Sequence, residues 1–193
     1  AAGAGGGPRV RVFAFSNGRF TAIDSCYAYA PDCTLGVNVA AGDTNGDGYA
    51  DIITGAMAGG APHVKVFSGK DLSELASFYA YGTDFTGGVS VAAGDLNGDG
   101  KADIVTAAGV NGTSHVRAFR GTDLKELDSF FAYAPNYLGA VHVGTTVVNG
   151  ETDIVTSAGA GGQPHVKRFS PTGVELDSRY VGDPNFLGGL FVG

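Results

Sequence analysis

The chain has 193 residues, 33 of them Gly, with 44% hydrophobic and 16% charged residues, which suits one domain of ordinary size with a real core. Its 12 basic and 19 acidic residues give a net charge of −7, the wrong sign for a protein that binds nucleic acid by neutralising phosphates. The stretch Ser129–Gly150 carries no formal charge, but Pro135, Asn136, Gly139, His142, Gly144 and Asn149 interrupt it, so no membrane insertion is expected.

In chain order, short runs of Val, Ile, Phe and Tyr alternate with Gly, Pro, Asn and Asp, the pattern of strands and turns. No stretch sustains a helical period. The chain opens at Ala1 without a Met or a basic-then-apolar leader, which reads as a processed form or an excerpt of a longer protein. The first run is Arg9–Phe15, followed by Asn17-Gly18, a turn in which both central residues need positive φ. Four runs then follow: Val37–Ala41, Asp51–Ala56, His63–Phe67 and Leu75–Tyr81. The same order recurs 52 residues on, as in Pro62-His63-Val64-Lys65-Val66-Phe67 against Ser114-His115-Val116-Arg117-Ala118-Phe119, and again 50 residues further at Pro164-His165-Val166-Lys167-Arg168-Phe169.

Four-stranded units of about 50 residues are the sequence form of a β-propeller. The expected fold is therefore all-β: a single domain, 1–193, of four-stranded antiparallel blades, with repeats at roughly 1–36, 37–88, 89–140 and 141–188. The first strand of each unit is built of small residues (Val39-Ala40-Ala41-Gly42, Val91-Ala92-Ala93-Gly94) and suits the position nearest the axis. The chain begins before a third-type strand and stops within a first-type strand, Gly189–Gly193. The two ends are expected to share one composite blade, with 189–193 as its closing inner strand, giving about four blades.

The loop Asp43-x-Asn45-x-Asp47-Gly48-x-x-Asp51 places oxygen ligands at positions 1, 3, 5 and 9, with the Tyr49 carbonyl at position 7. Asp95, Asn97, Asp99, the Lys101 carbonyl and Asp103 repeat the pattern. Such a set suits Ca²⁺, a hard ion that takes six to eight oxygens. A metal-free turn is the alternative, because Asp, Asn and Gly favour turns by themselves. The third copy, Thr145–Asp153, has lost the first Asp and the Asn and keeps a plain Asn149-Gly150 hairpin. Two calcium sites are expected, and none there.

These loops, Phe85-Thr86-Gly87-Gly88 and the Gly-rich Gly55–Pro62 turn resemble FG-GAP/VCBS-type repeats, the blades of integrin α-subunit propellers and of many bacterial surface proteins. The resemblance covers nearly the whole chain. It implies a β-propeller with calcium between the first two strands of a blade, and no single activity.

Cys26 and Cys33 align with Phe78 and Phe85 in the next copy and with Phe130 and Tyr137 in the one after, which suggests that the two positions touch. A disulfide is expected, with two buried free thiols as the alternative; a disulfide implies an oxidising compartment. His63, His115 and His165 recur at one position, and Lys65, Arg117 and Lys167 follow on the same strand face. A repeated structural hydrogen bond or an inter-blade ion pair is expected there rather than a ligand site. Tyr27, Tyr29, Tyr79, Tyr81 and Tyr133 are candidates for stacking on sugars, but blade packing is the expected role. The Gly-rich turns lack a complete phosphate-loop pattern and lead into strands. No nucleophile elbow, zinc-protease motif or catalytic carboxylate pair stands out.

The chain thus reads as a non-catalytic, calcium-stabilised module with a structural, adhesion or protein-interaction role. It is expected outside the cytoplasm, at the cell surface or in the periplasm. Its partner there is a protein or polysaccharide, and association with further blades or chains is also expected. A lectin-type propeller and a piece of a larger enzyme or surface assembly are the alternatives.

Overall fold

The computed structural model describes residues 1 and 3–193. Their regular structure is fourteen strands. Strands β1 (Arg9–Ser16) and β2 (Arg19–Tyr27) form a two-stranded antiparallel sheet. Strands β3 (Val37–Gly42), β4 (Asp51–Ala56), β5 (His63–Phe67) and β6 (Glu74–Tyr79) form the first complete blade, paired in chain order. The second blade is β7 (Val89–Gly94), β8 (Asp103–Ala108), β9 (His115–Phe119) and β10 (Glu126–Phe131). The third is β11 (Val141–Val148), β12 (Glu151–Ala158), β13 (His165–Phe169) and β14 (Glu175–Tyr180).

The register is identical in the first two blades, where Val37 faces Ala56 and Gly42 faces Asp51, as Val89 faces Ala108 and Gly94 faces Asp103. In the third blade the shortened loop lets the ladder run on to Val148 opposite Glu151. Asn149 and Gly150 close it with φ of 54° and 87°, and Asn17 and Gly18 close β1–β2 with 51° and 73°, the positive values that a tight two-residue hairpin demands. A register shift recurs at the same place in each pairing of a third-type with a fourth-type strand, a bulge that adds twist to the outer half of the blade.

Three apolar cores lie between successive sheets. Val10, Ala28, Val37, Ile52 and Phe67 join the two-stranded sheet to the first blade. Ile53, Val64, Val66, Val89, Ile104 and Phe119 join the first to the second, and Val105, Val116, Val141, Ile154 and Phe169 join the second to the third. Each interface also carries a polar latch. The hydroxyls of Tyr29, Tyr81 and Tyr133 donate to the carbonyls of His63, His115 and His165 in the next blade at 2.7, 2.9 and 2.9 Å. The Gly-rich turns are a second device, tying each repeat to the segment that leads into the next blade. Gly5, Gly59, Asn111 and Gly161 donate to the carbonyls of Thr34, Thr86, Leu138 and Leu187 at 2.8 to 2.9 Å. Close approach there is why Gly88 is glycine: its φ is +85°, and a Cβ would lie 2.6 Å from the Ala58 nitrogen.

The small-residue strands do surround the axis. Ala40, Ala41, Ala92, Ala93, Gly144 and Thr145 line a central cavity of about 340 Å³ together with Phe191–Gly193. The C-terminal segment sits where the inner strand of a further blade would: Leu190 N–H donates to the Ala158 carbonyl at 2.9 Å, and Ser157 Oγ donates to the Leu190 carbonyl at 2.8 Å. It forms no ladder with β1, however, and the two-stranded sheet stays two-stranded. The expected pairing of the two ends fails for a topological reason. In every complete blade a first-type strand pairs with a second-type strand, never with a third, and the described residues hold no second-type strand between Gly193 and Arg9. Both end surfaces therefore lie open. Phe13 is 47% exposed where its equivalents Phe67, Phe119 and Phe169 are 6%, 5% and 3% exposed, and Val181 is exposed where Ala28, Ala80 and Ala132 are buried.

Candidate metal centre

The two acidic loops connect the first and second strands of the first two blades. In the Asp43 loop the carboxylate of Asp43 is the hub. Its Oδ1 accepts N–H bonds from Gly46 at 2.7 Å and Asp47 at 3.2 Å, and its Oδ2 accepts one from Gly48 at 2.8 Å. Asn45 Oδ1 accepts from Asp47 N–H at 2.8 Å, and Asp47 Oδ1 accepts from Tyr49 N–H at 2.9 Å. The Asp95 loop repeats these bonds through Gly98, Asp99, Gly100 and Lys101. The bond from Gly48, with those from Gly46 and Asp47, sets the Asp43 carboxyl below its ordinary range against the opposing effect of desolvation.

Position 9 plays a different part. Asp51 is buried at the loop base, where its Oδ2 accepts from Thr44 N–H at 2.9 Å and Thr44 Oγ1 at 2.6 Å. Its Oδ1 accepts from Gly69 N–H at 3.1 Å, tying the loop to the β5–β6 turn. Asp103 receives Leu96 N–H and Gly121 N–H in the same way, at 3.0 and 3.1 Å. Burial raises the Asp103 carboxyl above its ordinary value, and the nearby charge of Asp99 adds to that. The structure thus gathers positions 1, 3 and 5 at each loop mouth and sets position 9 in the floor. Among the described residues, no three acidic, His or Cys side chains converge as a ready-made metal cage.

The donor chemistry nevertheless fits a hard cation. Asp43, Asp47 and Asp51, like Asp95, Asp99 and Asp103, have no basic partner within salt-bridge reach among the described residues. The third blade is the control. There the loop is gone but Asp153, the position-9 equivalent, remains buried, and Arg168 forms an ion pair with it. Arg168 occupies the place of Val66 and Ala118. A buried carboxylate needs a countercharge, and the blade that lost its loop supplies one from its own strand. Sequence reasoning missed this pair, although Arg168 is the single basic residue at an otherwise apolar repeat position.

Segments 35–70 and 87–119 match the FG-GAP repeat. The chain carries FG-GAP repeats. They are the two stretches that hold an intact acidic loop, and the third blade lies outside them. Integrin alpha-V from Gallus gallus is 35% identical over 79 residues, which is 40% of this chain and 8% of that protein. The chain thus spans less than a tenth of that relative. The crystal structure of the exotype rhamnogalacturonan lyase YesX aligns with a TM-score of 0.57 at 16% identity, covering 88% of this chain and 40% of that one; the likeness is one of fold. FG-GAP repeats typically bind Ca²⁺.

The other predicted residues divide. Cys26 and Cys33 are free thiols in the structure, and the premise of the expected disulfide fails with them. The aromatic residues that replace them do not pair with each other: Phe78 packs on Phe119 of the next blade at 5.1 Å, while Phe85 packs on Tyr81 at 5.8 Å. Cys26 accordingly lies against the Val10–Phe67 core, where burial and then Asp24 push its thiol pKa up. The repeated histidines make a repeated structural bond, Nε2 to Oγ of Ser77, Ser129 and Ser178, each at 2.8 Å. Their basic neighbours pair within the blade: Lys65 with Glu74 and Lys167 with Glu175 at 2.7 Å, and Arg117 with Glu126. The Tyr29, Tyr81 and Tyr133 hydroxyls are committed to the latches.

Proposed function

We propose that the protein is a non-catalytic β-propeller module whose FG-GAP loops each hold one calcium ion, and that it works outside the cytoplasm in a structural, adhesion or interaction role toward a protein or polysaccharide. The ligand set of the first loop is Asp43, Asn45, Asp47, the Tyr49 carbonyl and Asp51. That of the second is Asp95, Asn97, Asp99, the Lys101 carbonyl and Asp103. The observation that carries the reading is the contrast in countercharge: six loop aspartates without a basic partner, against Asp153 neutralised by Arg168. When bound, the ion supplies charge neutralisation and cross-links the loop mouth to its buried floor.

The rest of the reading follows from this chemistry. Solvent-exposed ligands on a loop that lacks the bidentate Glu of an EF-hand suit the weak calcium affinities of extracellular modules, which is the support for a location at the cell surface or in the periplasm. The likeness to a lyase at 16% identity concerns the fold alone, and no catalysis is assigned. Calorimetric titration with calcium tests the proposal. Two sites are expected, falling to one in Asp95→Ala, together with a rise in Tm on adding calcium. Absence of binding heat with an unchanged Tm overturns it.

A further inference from the structure

The two loops are not equivalent, because the second reaches across to the first. Lys101 stands at position 7 of the second loop, where the proposed ligand is its backbone carbonyl and its side chain is free to go elsewhere. That side chain lies against the first loop. A Cβ placed on Gly46 would be 2.8 Å from Lys101 Cε, 3.4 Å from Cδ and 3.5 Å from Cγ. The aliphatic stem thus runs over the residue whose N–H bonds Asp43 Oδ1 at 2.7 Å. The neighbouring backbone fixes this approach, since Ala102 N–H donates to the Asp43 carbonyl at 2.7 Å. Among the described residues, Lys101 has no salt-bridge partner.

The second loop has no such neighbour. Gly98 is the counterpart of Gly46, and nothing lies within 4 Å of a Cβ placed on it. The residue of the third blade equivalent to Lys101 is Glu151, which carries the opposite charge.

We propose that Lys101 is an affinity-setting residue for the first loop: its ammonium, at the end of a stem that lies on Gly46 but outside salt-bridge reach of the loop carboxylates, repels an incoming calcium ion, so that the Asp43 loop is the weaker site and the Asp95 loop the tighter. This rests on the calcium reading of the loops. The physical basis is repulsion between a fixed positive charge and an incoming divalent ion at the same loop mouth. The repulsion acts partly through solvent and is screened by salt. Removing the charge leaves the ligands of both loops intact, because the second loop uses only the Lys101 carbonyl.

The test compares Lys101→Met, which keeps the stem on Gly46 and removes the charge, with Lys101→Arg, which keeps both. Calcium titrations are followed through the amide resonances of Gly46 and Gly98, which report the two loops separately. In the parent protein the Gly98 signal saturates first. Lys101→Met tightens the Gly46 transition by about three- to tenfold at low salt, less at high salt, and moves it more than the Gly98 transition. Lys101→Arg behaves as the parent. Equal affinities in all three proteins, or a shift at Gly98 instead of Gly46, overturn the role of Lys101 while leaving the calcium reading standing. Absence of any calcium-dependent shift at either glycine overturns the calcium reading and this inference with it.

Discussion

The Tyr81 hydroxyl donates to the His115 carbonyl across the gap between two blades at 2.9 Å, and the side chain itself is held between Phe85 and the His115 ring, with centroids at 5.8 and 5.4 Å. The bond recurs at the other two interfaces, so each blade is joined to the next by a buried core and one oriented polar contact. Tyr81→Phe keeps the ring and removes the donor. It is expected to destabilise the protein by about 1–2 kcal/mol, since a part-buried carbonyl loses its partner. Urea unfolding measures the loss. No change would mean that the ring alone joins the blades.

The same latch sets an alkaline limit. Burial is the main cause that pushes the Tyr29 phenol up to about 12, with the Thr54 bond opposing it and Cys33 adding to it. A folded-state pKa above the ordinary value near 10 means that the native state favours the protonated phenol. That stability is fully present below pH 10 and is lost as pH rises toward 12. Tyr81 and Tyr133 are shifted the same way. Tm is expected to fall across this window, and Tyr29→Phe to lessen the fall.

Much of this arrangement is legible in the sequence. The 52-residue period sets the blades, the runs His63–Phe67 and Asp51–Ala56 are strands with those bounds, and Asn149-Gly150 makes the hairpin its residue types demand. What escapes the sequence depends on which side of a strand a neighbour occupies. Two aligned aromatic positions suggest a contact, yet Phe78 reaches forward to the next blade while Phe85 folds back on Tyr81. Likewise, complementary chain ends do not disclose that a first-type strand needs a second-type partner. The mutual support of Asp153 and Arg168 joins residues 15 apart on strands that pair only once the blade has formed.

That pair gives a direct prediction. Arg168→Met leaves the buried Asp153 carboxylate without its countercharge. The expected cost is about 2–3 kcal/mol, below the range for a fully buried pair because the guanidinium side is partly exposed. Replacing the ion pair by an apolar one, with Arg168→Val and Asp153→Leu together, is expected to recover most of the loss. A double-mutant cycle by chemical denaturation measures the coupling, and additive losses would show that the pair contributes nothing.

The free thiols predict a chemical result. Cys26 and Cys33 are both free in the structure, so denatured, unreduced protein is expected to take up two equivalents of alkylating agent, read by intact mass. A mass showing no uptake would demonstrate a bond between them and would require the turn after β2 to close differently.

The chain ends supply the most demanding test. Gly189–Gly193 is held by the two bonds of Leu190, to Ala158 and Ser157, and by Phe191 against His142 at 4.0 Å between ring centroids. Phe191 is otherwise 79% exposed. Removing 189–193 therefore uncovers the inner edge of the third blade only. The expected cost is about 1–3 kcal/mol for two hydrogen bonds and a partly exposed ring. Hydrogen exchange localises the effect: amides of β11 and β12 are expected to lose protection, while those of β1 and β2 keep theirs, because no ladder joins them to the C-terminus. A closed ring would behave differently, with truncation releasing β1 and β2 as well, since both would then belong to the blade that the C-terminus completes. Loss of protection in Arg9–Tyr27 on truncation would establish closure in solution and overturn the open arrangement.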